Sequence, residues 1–565
     1  MRDRPDVVLT RHFFTALFDF GFLSDDGADS AKRALLGSLA VAIAFGLLLT
    51  RVFMAKYASL AAGSADAYEM EVVADHAFLM AVPMWVVASA CGLVGHSLFP
   101  DQTDFRVLLA EPLSRLTIFG SKLASLLLFG GLFVAGTHLA LLPLVALSMI
   151  GAVKFGSILT VAPAFAVSSL IGSLFAGLAI VAVHGLLVLL APRARLLAFS
   201  GAVRSLLIGV LVLSLPLVAR LPGTAKAFAS NAWWLPYTPP AWFVGLERWL
   251  AGDARYATLA AMAAISTAAV ATASVVSYAV LYRRFDRVIA PSAPSYSSGD
   301  DVRSLGRWIG RSPVRHAVHR FVTLTVRRSV LHQTLVVGVL AAAGGLVLNS
   351  LLSADGWREP LNTRVRGGGG LFGTLLWAPM TMIFLAIPAI RIALSVPLDL
   401  RSNWIFRMTE DVPGRGEVVA ASVRIVLALA VALPLAILGP VQWWMLGRSA
   451  LNVVLVEAAI GWLLVEWLMA DWRRIPFTCS YIPGKGFVPH MIVKGFASYV
   501  FFTLATGMVL RFSQARLRTA LVFVAVLGAT AAALSVQRWR HARRTSLTFE
   551  EVLPSDVTPL GLNGD

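Results

Sequence analysis

Ionisable residues inside long apolar stretches are the first candidates for chemistry in this chain, because a charge in lipid is costly and is usually kept for a function. Glu457 and Glu466 lie in one such stretch, nine residues apart. That spacing places them on opposite sides of a helix, so a proton relay along one face is not expected. Glu466 is close to Asp471, Arg473 and Arg474, which predicts an interfacial ion pair. Glu457 is therefore the stronger intramembrane polar candidate.

Three histidines, His96, His138 and His184, lie in or near the apolar stretches of the first half, and each is alone. Hydrogen bonds between packed helices are the favoured interpretation, and a proton pathway is the alternative. Cys91 and Cys479 belong to no C-x-x-C pattern and to no spacing typical of metal ligands. The sequence therefore predicts neither a metal site nor a disulfide framework.

The motifs of nucleotide and hydrolytic chemistry do not occur in the sequence. There is no G-x-x-x-x-G-K-[ST], and glycine instead of serine or threonine follows Gly484-Lys485. H-E-x-x-H and G-x-S-x-G do not occur either. A P-loop needs its glycines, lysine and hydroxyl to hold phosphates and Mg²⁺. We therefore expect no catalytic residues and no cofactor in this chain.

The elements that must position these residues are twelve apolar stretches in two sets of six. Of 565 residues, 58% are hydrophobic and 14% are charged, with a mean hydropathy of +0.76. Soluble proteins have about 25% charged residues, and a span needs about 20 apolar residues. The pattern predicts an all-α integral membrane protein with about 12 transmembrane helices as two six-helix units, with amphipathic interfacial helices. The expected spans are 34–54, 77–98, 119–150, 158–191, 198–219 and 257–282, then 330–352, 371–395, 418–446, 450–470, 491–511 and 518–536.

The polar segments between these spans complete the domain organisation. The first segment has polar and aromatic residues at helical spacing, which predicts a helix on the membrane face or, as the alternative, one packed on the bundle. The expected domains are an amphipathic helix at 1–30, a membrane unit at 31–283, a basic linker at 284–328, a second membrane unit at 329–537 and a tail at 538–565.

Charge asymmetry predicts the topology. A net charge of +17 favours nucleic-acid binding in a soluble protein, but in a membrane protein basic loops mark the cytoplasmic side. The acidic loop 55–76 is expected outside, whereas the stretch 283–328, with ten arginines, is expected inside. Both termini are then cytoplasmic. The loop with Arg511, Arg516 and Arg518 does not fit, and it is either outside or part of a re-entrant pair.

Aromatic residues and prolines mark two unusual segments outside the spans. Segment 472–490 contains three prolines and predicts a shaped cytoplasmic loop. Segment 231–250 predicts an interfacial or re-entrant helix on the outer side, with a plain aromatic belt as the alternative. Its aromatic residues are Trp233, Trp234, Tyr237, Trp242, Phe243 and Trp249.

Two cytoplasmic loops occupy the same place in the two halves, after the second span of each set. Loop 100–122 and loop 397–419 both begin with Pro and a nearby Asp, contain an amphipathic middle with arginine, and end with Pro followed by Arg. The match predicts an internal repeat, which is common in transporters. Chance similarity is the alternative.

Loop 100–122, the segment PPAWFVGL at 239–246 and the amphipathic first helix together resemble permease subunits of ABC transporters, in the exporter class with six spans per unit. The resemblance covers most of residues 1–290 and, more faintly, the second half, which lacks a clean copy of the Pro-Pro-x-Trp-Phe element. It implies a membrane permease that provides the path of an ATP-driven exporter, while separate ATP-binding subunits, in two copies, supply the energy.

The resemblance also implies where the ATPases dock. The first helix and the loops 101–117 and 399–417 are the expected surfaces, although a solvated loop without a special role has the same pattern. Membrane lipids are expected partners and nucleic acid is not, and the expected location is the bacterial cytoplasmic membrane. The alternative is an ATPase-independent secondary transporter or membrane scaffold. The candidate docking residues are Arg106, Glu111, Arg115, Arg407, Glu410 and Arg415.

Overall fold

Long helices make up both halves of the chain in the computed structural model, and the described residues contain no β-strand. The chain divides into unit 1, Met1–Ser295, and unit 2, Tyr296–Asp565. The structure describes residues 5–16, 46, 48–60, 65–94, 114–148, 158–190, 196–283, 312–353, 370–398, 403–409, 412, 414–479 and 488–549.

Unit 1 has six long helices or helical segments and a group of short helices before the last of them. Three 3₁₀ turns, at Leu221–Gly223, Leu235–Tyr237 and Ala254–Tyr256, connect the short ones. The helices are α1 (Pro5–Ala16), α2 (48–60), α3 (Ala65–Val94), α4 (Arg115–Ser148), α5 (Ile158–Leu190), α6 (Leu196–Ala219), α7 (Ala225–Ala229), α8 (Pro239–Leu250) and α9 (Ala257–Arg283).

Unit 2 begins with an amphipathic helix inside the stretch that the sequence predicts as a linker. Its third long helix includes a π-helical segment, Leu427–Ala432, between α14 and α15. The helices are α10 (Pro313–Arg328), α11 (Val330–Ser353), α12 (Gly370–Ser395), α13 (Trp404–Thr409), α14 (Arg415–Val426), α15 (Leu433–Leu446), α16 (Ser449–Leu468), α17 (Val488–Ala515) and α18 (Leu517–Arg544).

Ten helices among the described residues are long and apolar enough to cross a membrane, counting Arg415–Leu446 as one. This confirms the all-α membrane class. The expected span 34–54 lies mostly outside the described residues. The expected span 491–511 falls in α17, where the apolar helix Phe501–Ser513 is shorter than a full crossing. The total of twelve spans remains a prediction.

The second long helix begins earlier than the sequence predicts. Loop 55–76 was expected because of its acidic residues, but α3 starts at Ala65 and runs for 30 residues. The prediction was wrong there because the charged side chains have partners in the fold. Lys56 Nζ lies 2.7 Å from Asp75 Oδ1 and 2.8 Å from Glu71 Oε2. A carboxylate that is paired with a cation can be buried in a helix, whereas burial of an unpaired carboxylate is costly.

Two helices are longer than a membrane requires, as the sequence predicts. Helices α4 and α5 contain 34 and 33 residues, and each is continuous through a proline, Pro143 in α4 and Pro163 in α5. Pro163 is the sixth residue of α5, so its missing N–H removes one hydrogen bond of the second turn. At 1.5 Å per residue each helix is about 50 Å long, so tilt or extension beyond the hydrocarbon accommodates the excess.

Several helix contacts inside unit 1 have a counterpart between the corresponding helices of unit 2. In unit 1, α3 packs on α5 and α6, α5 packs on α9, and the amphipathic α1 packs on α4. In unit 2, α12 packs on α16 and α17, α16 packs on α18, and the amphipathic α10 packs on α14. In each case the second long helix contacts the fourth and fifth, and the fourth contacts the sixth. Each unit buries its own hydrophobic core.

Candidate functional site

A platform at one end of unit 2 joins segments that are far apart in the sequence. We use the name platform for α10, residues 394–398, 403–409, 472–479 and 545–549. These segments precede α11, follow α12, follow α16 and follow α18, so they meet at the same end of the unit. The platform therefore contains α13, the short helix between the second and third long helices.

Backbone hydrogen bonds fix the position of α13 in the platform. The Phe477 N–H donates to Leu394 O at 2.8 Å, and the Leu398 N–H donates to Phe477 O at 3.1 Å. The buried Asn403 side chain donates through Nδ2 to Thr478 O at 2.8 Å. The loop before α13 is thus paired with the loop after α16 along both edges of Phe477. Such pairing satisfies backbone groups that would otherwise be buried without partners.

Aromatic packing also holds the loop at Phe477 in place. Phe477 is fully buried, and its ring meets His332 edge-on at 4.6 Å and Phe321 at 5.8 Å between centroids. Its φ of +66° is unusual for a bulky residue. Burial of such a ring contributes about 1.5–3 kcal/mol, enough to hold a backbone conformation that costs about 1–3 kcal/mol.

Residues of the amphipathic α10 and of the chain end complete the framework. Arg315 of α10 forms a two-bond ion pair with Glu417 at the start of α14, with one contact of 3.1 Å between a terminal guanidinium nitrogen and Oε1. The Thr548 N–H donates to Arg473 O at 2.8 Å. The position of α13 therefore depends on four other segments of the unit.

The outer face of α13 is apolar and exposed. Phe406 points inward onto Phe321, with 5.9 Å between ring centroids. Trp404 is 57% exposed, Ile405 48% and Met408 77%. A contiguous exposed apolar group on a rigid polar framework is typical of a protein or membrane contact. Its geometry can bind a partner, but it contains no group suited to covalent chemistry.

Two of the predicted docking residues of the second half lie at or near this platform. Arg407 is in α13, although its side chain lies outside the described residues, and Arg415 is the first residue of α14. Arg115 begins α4, again with an undescribed side chain. Arg106 and Glu111 of the first half and Glu410 of the second lie outside the described residues. The role of these six residues in docking remains a prediction.

The first amphipathic helix is packed on the bundle. The aliphatic and aromatic side chains Leu9 and Phe13 are buried, and Lys122 Nζ lies 5.0 Å above the Phe13 ring. Ser121 Oγ donates to Asp6 O at 3.1 Å. These contacts join α1 to the first turns of α4. Val7 and Val8 are exposed, so a membrane-facing surface coexists with the packed one.

The intramembrane polar candidates have different surroundings within their own units. Glu457 is fully buried and accepts a hydrogen bond of 3.0 Å from Gln442 Nε2. His138 Nδ1 lies 2.7 Å from Val134 O of its own helix, and His184 is buried in α5. No group of three metal-ligand residue types comes together among the described residues. The His138 contact lies within one helix rather than between two, and His96 lies outside the described residues, so hydrogen bonds between packed helices remain a prediction.

The ion pair predicted at Glu466 is present, but its partner is a distant residue. Arg538 of α18 donates to both carboxylate oxygens of Glu466, with Nε to Oε2 at 2.9 Å and the nearer terminal contact at 2.8 Å. Both side chains are buried inside unit 2, and the position of the pair at the membrane interface remains a prediction. Asp471 binds Arg391 instead, at 3.0 Å. The partner was missed because it lies 72 residues further along the chain.

The aromatic segment of unit 1 forms a cap before α9. We use the name cap for residues 220–256. Phe243 is fully buried and contacts Phe175 at 5.4 Å between centroids, whereas Trp242 Nε1 donates to Pro236 O at 2.7 Å. Trp234 is half-buried, and Trp233 and Tyr237 are largely exposed. Part of the aromatic set is thus core, and only the exposed part is available to a membrane interface.

A buried cluster of ionisable side chains joins the cap to α3 and was not predicted. His76 Nδ1 is 2.7 Å from Glu247 Oε1, and both side chains are fully buried. Arg248 lies 4.0 Å from the same carboxylate. Burial lowers the pKa of the Arg248 guanidinium, while the Glu247 carboxylate opposes that shift. The adjacent Glu-Arg pair on an aromatic helix was the available sequence signal.

Two further groups at the edge of the cluster have perturbed ionisation. Burial raises the pKa of the Tyr57 phenol well above its ordinary value, and the charge of Asp75 adds to the effect. The hydrogen bonds from Arg255 lower the pKa of the Asp253 carboxyl. The cluster therefore joins ionisable side chains from the middle of α3, the last turns of α2 and α8 and the turn before α9.

Comparison of the chain with protein-family profiles, with curated protein sequences and with solved structures finds no match in any of the three. Function is therefore inferred from the residues and geometry of this chain.

Proposed function

We propose that this chain is the membrane permease subunit of an ATP-driven exporter, built from two fused six-span units. Separate ATP-binding subunits, in two copies, supply the energy. The observation that carries the proposal is the exposed apolar face of α13, held by a buried framework between the second and third long helices of unit 2. An element that passes force between an ATPase and a span has to be both exposed and rigidly connected.

The charge distribution supports a cytoplasmic position for the platform. Its segments carry Arg327 and Arg328 of α10, Arg473 and Arg474 after α16. Basic residues near span ends concentrate on the cytoplasmic side. With the platform inside, the carboxyl terminus is cytoplasmic, and the resemblance places the protein in the bacterial inner membrane.

The shared packing pattern supports the proposed duplication. Two ATPases need two equivalent docking surfaces, and each unit has an amphipathic helix packed on its third long helix. The loop before that third helix contains α13 in unit 2 and the stretch 100–114 in unit 1. A P-loop does not occur in the sequence, so hydrolysis requires another chain.

A secondary transporter remains the alternative, and the buried Glu457 is the observation that favours it. Such transporters place ionisable groups at midplane on broken helices. The π-helical segment Leu427–Ala432 packs at Gly461, one turn after Glu457, where an added Cβ would lie 2.7 Å from Val431 Cγ1. One buried carboxyl bound to one amide gives a weaker case than the platform does.

The test is reconstitution with and without the ATPase. The chain is purified from native membranes in mild detergent, and co-purifying proteins with a P-loop sequence are identified by mass spectrometry. The chain alone should show no ATP hydrolysis in liposomes, and vanadate-sensitive hydrolysis should appear with its partner. Hydrolysis by the chain alone, or proton-driven transport without any partner, would contradict the proposal.

A matched pair of variants tests the docking surface itself. Trp404→Ala removes an exposed tryptophan from the platform, and Trp233→Ala removes one from the cap. We expect Trp404→Ala to weaken ATPase binding at least about tenfold, because central aromatic residues often contribute about 2 kcal/mol or more at interfaces. Trp233→Ala should leave binding unchanged. Quenching of Trp404 by brominated lipid in the complex would assign α13 to the membrane surface instead.

A further inference from the structure

One exposed face of α18, the final helix of unit 2, changes from apolar to cationic along its length. Ala532, Ala533 and Val536 are exposed on α18 and form the apolar half of a shallow groove. The groove continues over Gln537 toward the end of the helix. Residues spaced by four along a helix lie on nearly the same face. One continuous face of α18 is therefore exposed, and it is apolar at Ala532, Ala533 and Val536.

The other half of the groove is cationic. Arg540, His541 and Arg544 line it and are exposed. None of the three has a carboxylate partner among the described residues. The neighbouring arginines of the helix are engaged, since Arg538 binds Glu466 and Arg543 stacks 3.9 Å above the Trp539 ring. As far as the described residues extend, two guanidinium groups on this face are therefore open to a ligand.

Membrane depth determines the chemistry of that ligand. The apolar part of α18, Leu517–Val536, has twenty residues and covers about 30 Å of hydrocarbon. Arg540 lies about 6 Å further along the axis, within the headgroup zone. The side chain of Arg544 leans back toward the helix amino terminus, and so toward the same zone.

We propose that this face of α18 binds an anionic phospholipid. Arg540 and Arg544 donate to the phosphate oxygens, for which guanidinium groups are suited because they form paired hydrogen bonds. His541 and Gln537 lie beside the headgroup, and an acyl chain covers Ala532, Ala533 and Val536. Basic sites at helix ends are typical of anionic lipid recognition. The assignment is independent of the transport function proposed above.

The test measures lipid binding to the full chain. The protein is purified in mild detergent and titrated with phosphatidylglycerol or phosphatidylcholine, and bound lipid is counted by native mass spectrometry. We expect the double variant Arg540→Gln/Arg544→Gln to bind phosphatidylglycerol about 30-fold more weakly, from about 1 kcal/mol per arginine. Arg540→Lys/Arg544→Lys should retain most of the affinity, since the positive charge is kept.

The matched control removes the same charge from the opposite end of the same helix. Arg516→Gln/Arg518→Gln changes two exposed arginines there and should leave the affinity of this site within about threefold. Equal binding of phosphatidylcholine, equal loss in the control variant, or equal binding of water-soluble glycerol phosphate would each overturn the assignment. Thermal unfolding of each variant establishes that all of them are folded.

Discussion

The two units differ most in the connection between their fifth and sixth long helices. In unit 1 the cap, residues 220–256, joins α6 to α9, whereas in unit 2 Arg516 alone joins α17 to α18. The joined helices pack differently in the two units: α17 packs on α18 in unit 2, whereas α6 and α9 each pack on α5 in unit 1. The longer connection of unit 1 therefore coincides with a change in how the two helices that it joins pack.

The elaborations also lie at different places in the two units. The cap includes Glu247, whose carboxylate lies 2.7 Å from His76 in the middle of α3. The platform lies at the end of unit 2 away from Arg516, because α18 runs for 28 residues, about 42 Å, before its end joins the platform. Each unit is therefore specialised at one end only, as far as the described residues extend.

The largest expected effect separates the buried ion pairs from the exposed ones. Glu466→Ala leaves Arg538 buried without its carboxylate and should destabilise unit 2 by about 3–5 kcal/mol. Glu466→Leu/Arg538→Leu should recover much of that loss. The free energy of unfolding in detergent is measured by denaturant titration for the full double-mutant cycle.

The control for that cycle is Asp471→Ala, because Asp471 is 74% exposed in its pair with Arg391. Its expected cost is about 0–1 kcal/mol. Equal costs for the two single variants would show that the pair at Glu466 is solvated and that the comparison between buried and exposed pairs fails.

A second prediction compares the two non-glycine residues with positive φ among the described residues. Phe477 of the platform has φ +66° and Asn231 of the cap has φ +50°. Phe477→Gly relieves about 1 kcal/mol of strain but removes a buried ring that is worth about 3–5 kcal/mol, so we expect a net loss of about 2–4 kcal/mol. Asn231→Gly should change stability by less than about 0.5 kcal/mol, because asparagine tolerates this conformation.

Hydrogen exchange measured by mass spectrometry localises the effect. In Phe477→Gly, faster exchange should be confined to the platform segments 394–398 and 472–479. If Asn231→Gly costs as much as Phe477→Gly, the cap rather than the platform holds the more constrained backbone.

The smallest expected effect concerns the contact that fixes the cap on α9. A Cβ on Gly245 would lie 2.2 Å from Leu259 Cβ, so α8 and α9 approach too closely for a side chain. Gly245→Ala should therefore destabilise unit 1 by about 1–3 kcal/mol and speed limited proteolysis of the cap. Gly223→Ala is the control in the same cap, since a Cβ there meets nothing within 4 Å. Similar proteolysis rates for the two variants would mean that the cap accommodates the added methyl group without a loss of stability.

Sequence reasoning determined the parts of this protein that depend on local composition. Long uncharged runs have only one way to satisfy their backbone groups in lipid, so the helices at 158–191, 330–352 and 450–470 could be placed to within a few residues of their ends. The same reasoning found α1 and the unusual segments that became the cap and the platform. It misplaced the start of α3, because it read Glu71 and Asp75 as loop residues.

Only the tertiary structure decided which distant residues meet. Arg538 neutralises Glu466, Glu247 binds His76, and Asn403 binds the loop at Thr478. Each of these contacts joins segments separated by at least 72 residues. No periodicity in a single sequence encodes such pairings, because they depend on how helices pack and on which side chains then lose water. The composition determined that the chain lies in a membrane and forms helices. Packing alone determined the partners of the buried charges.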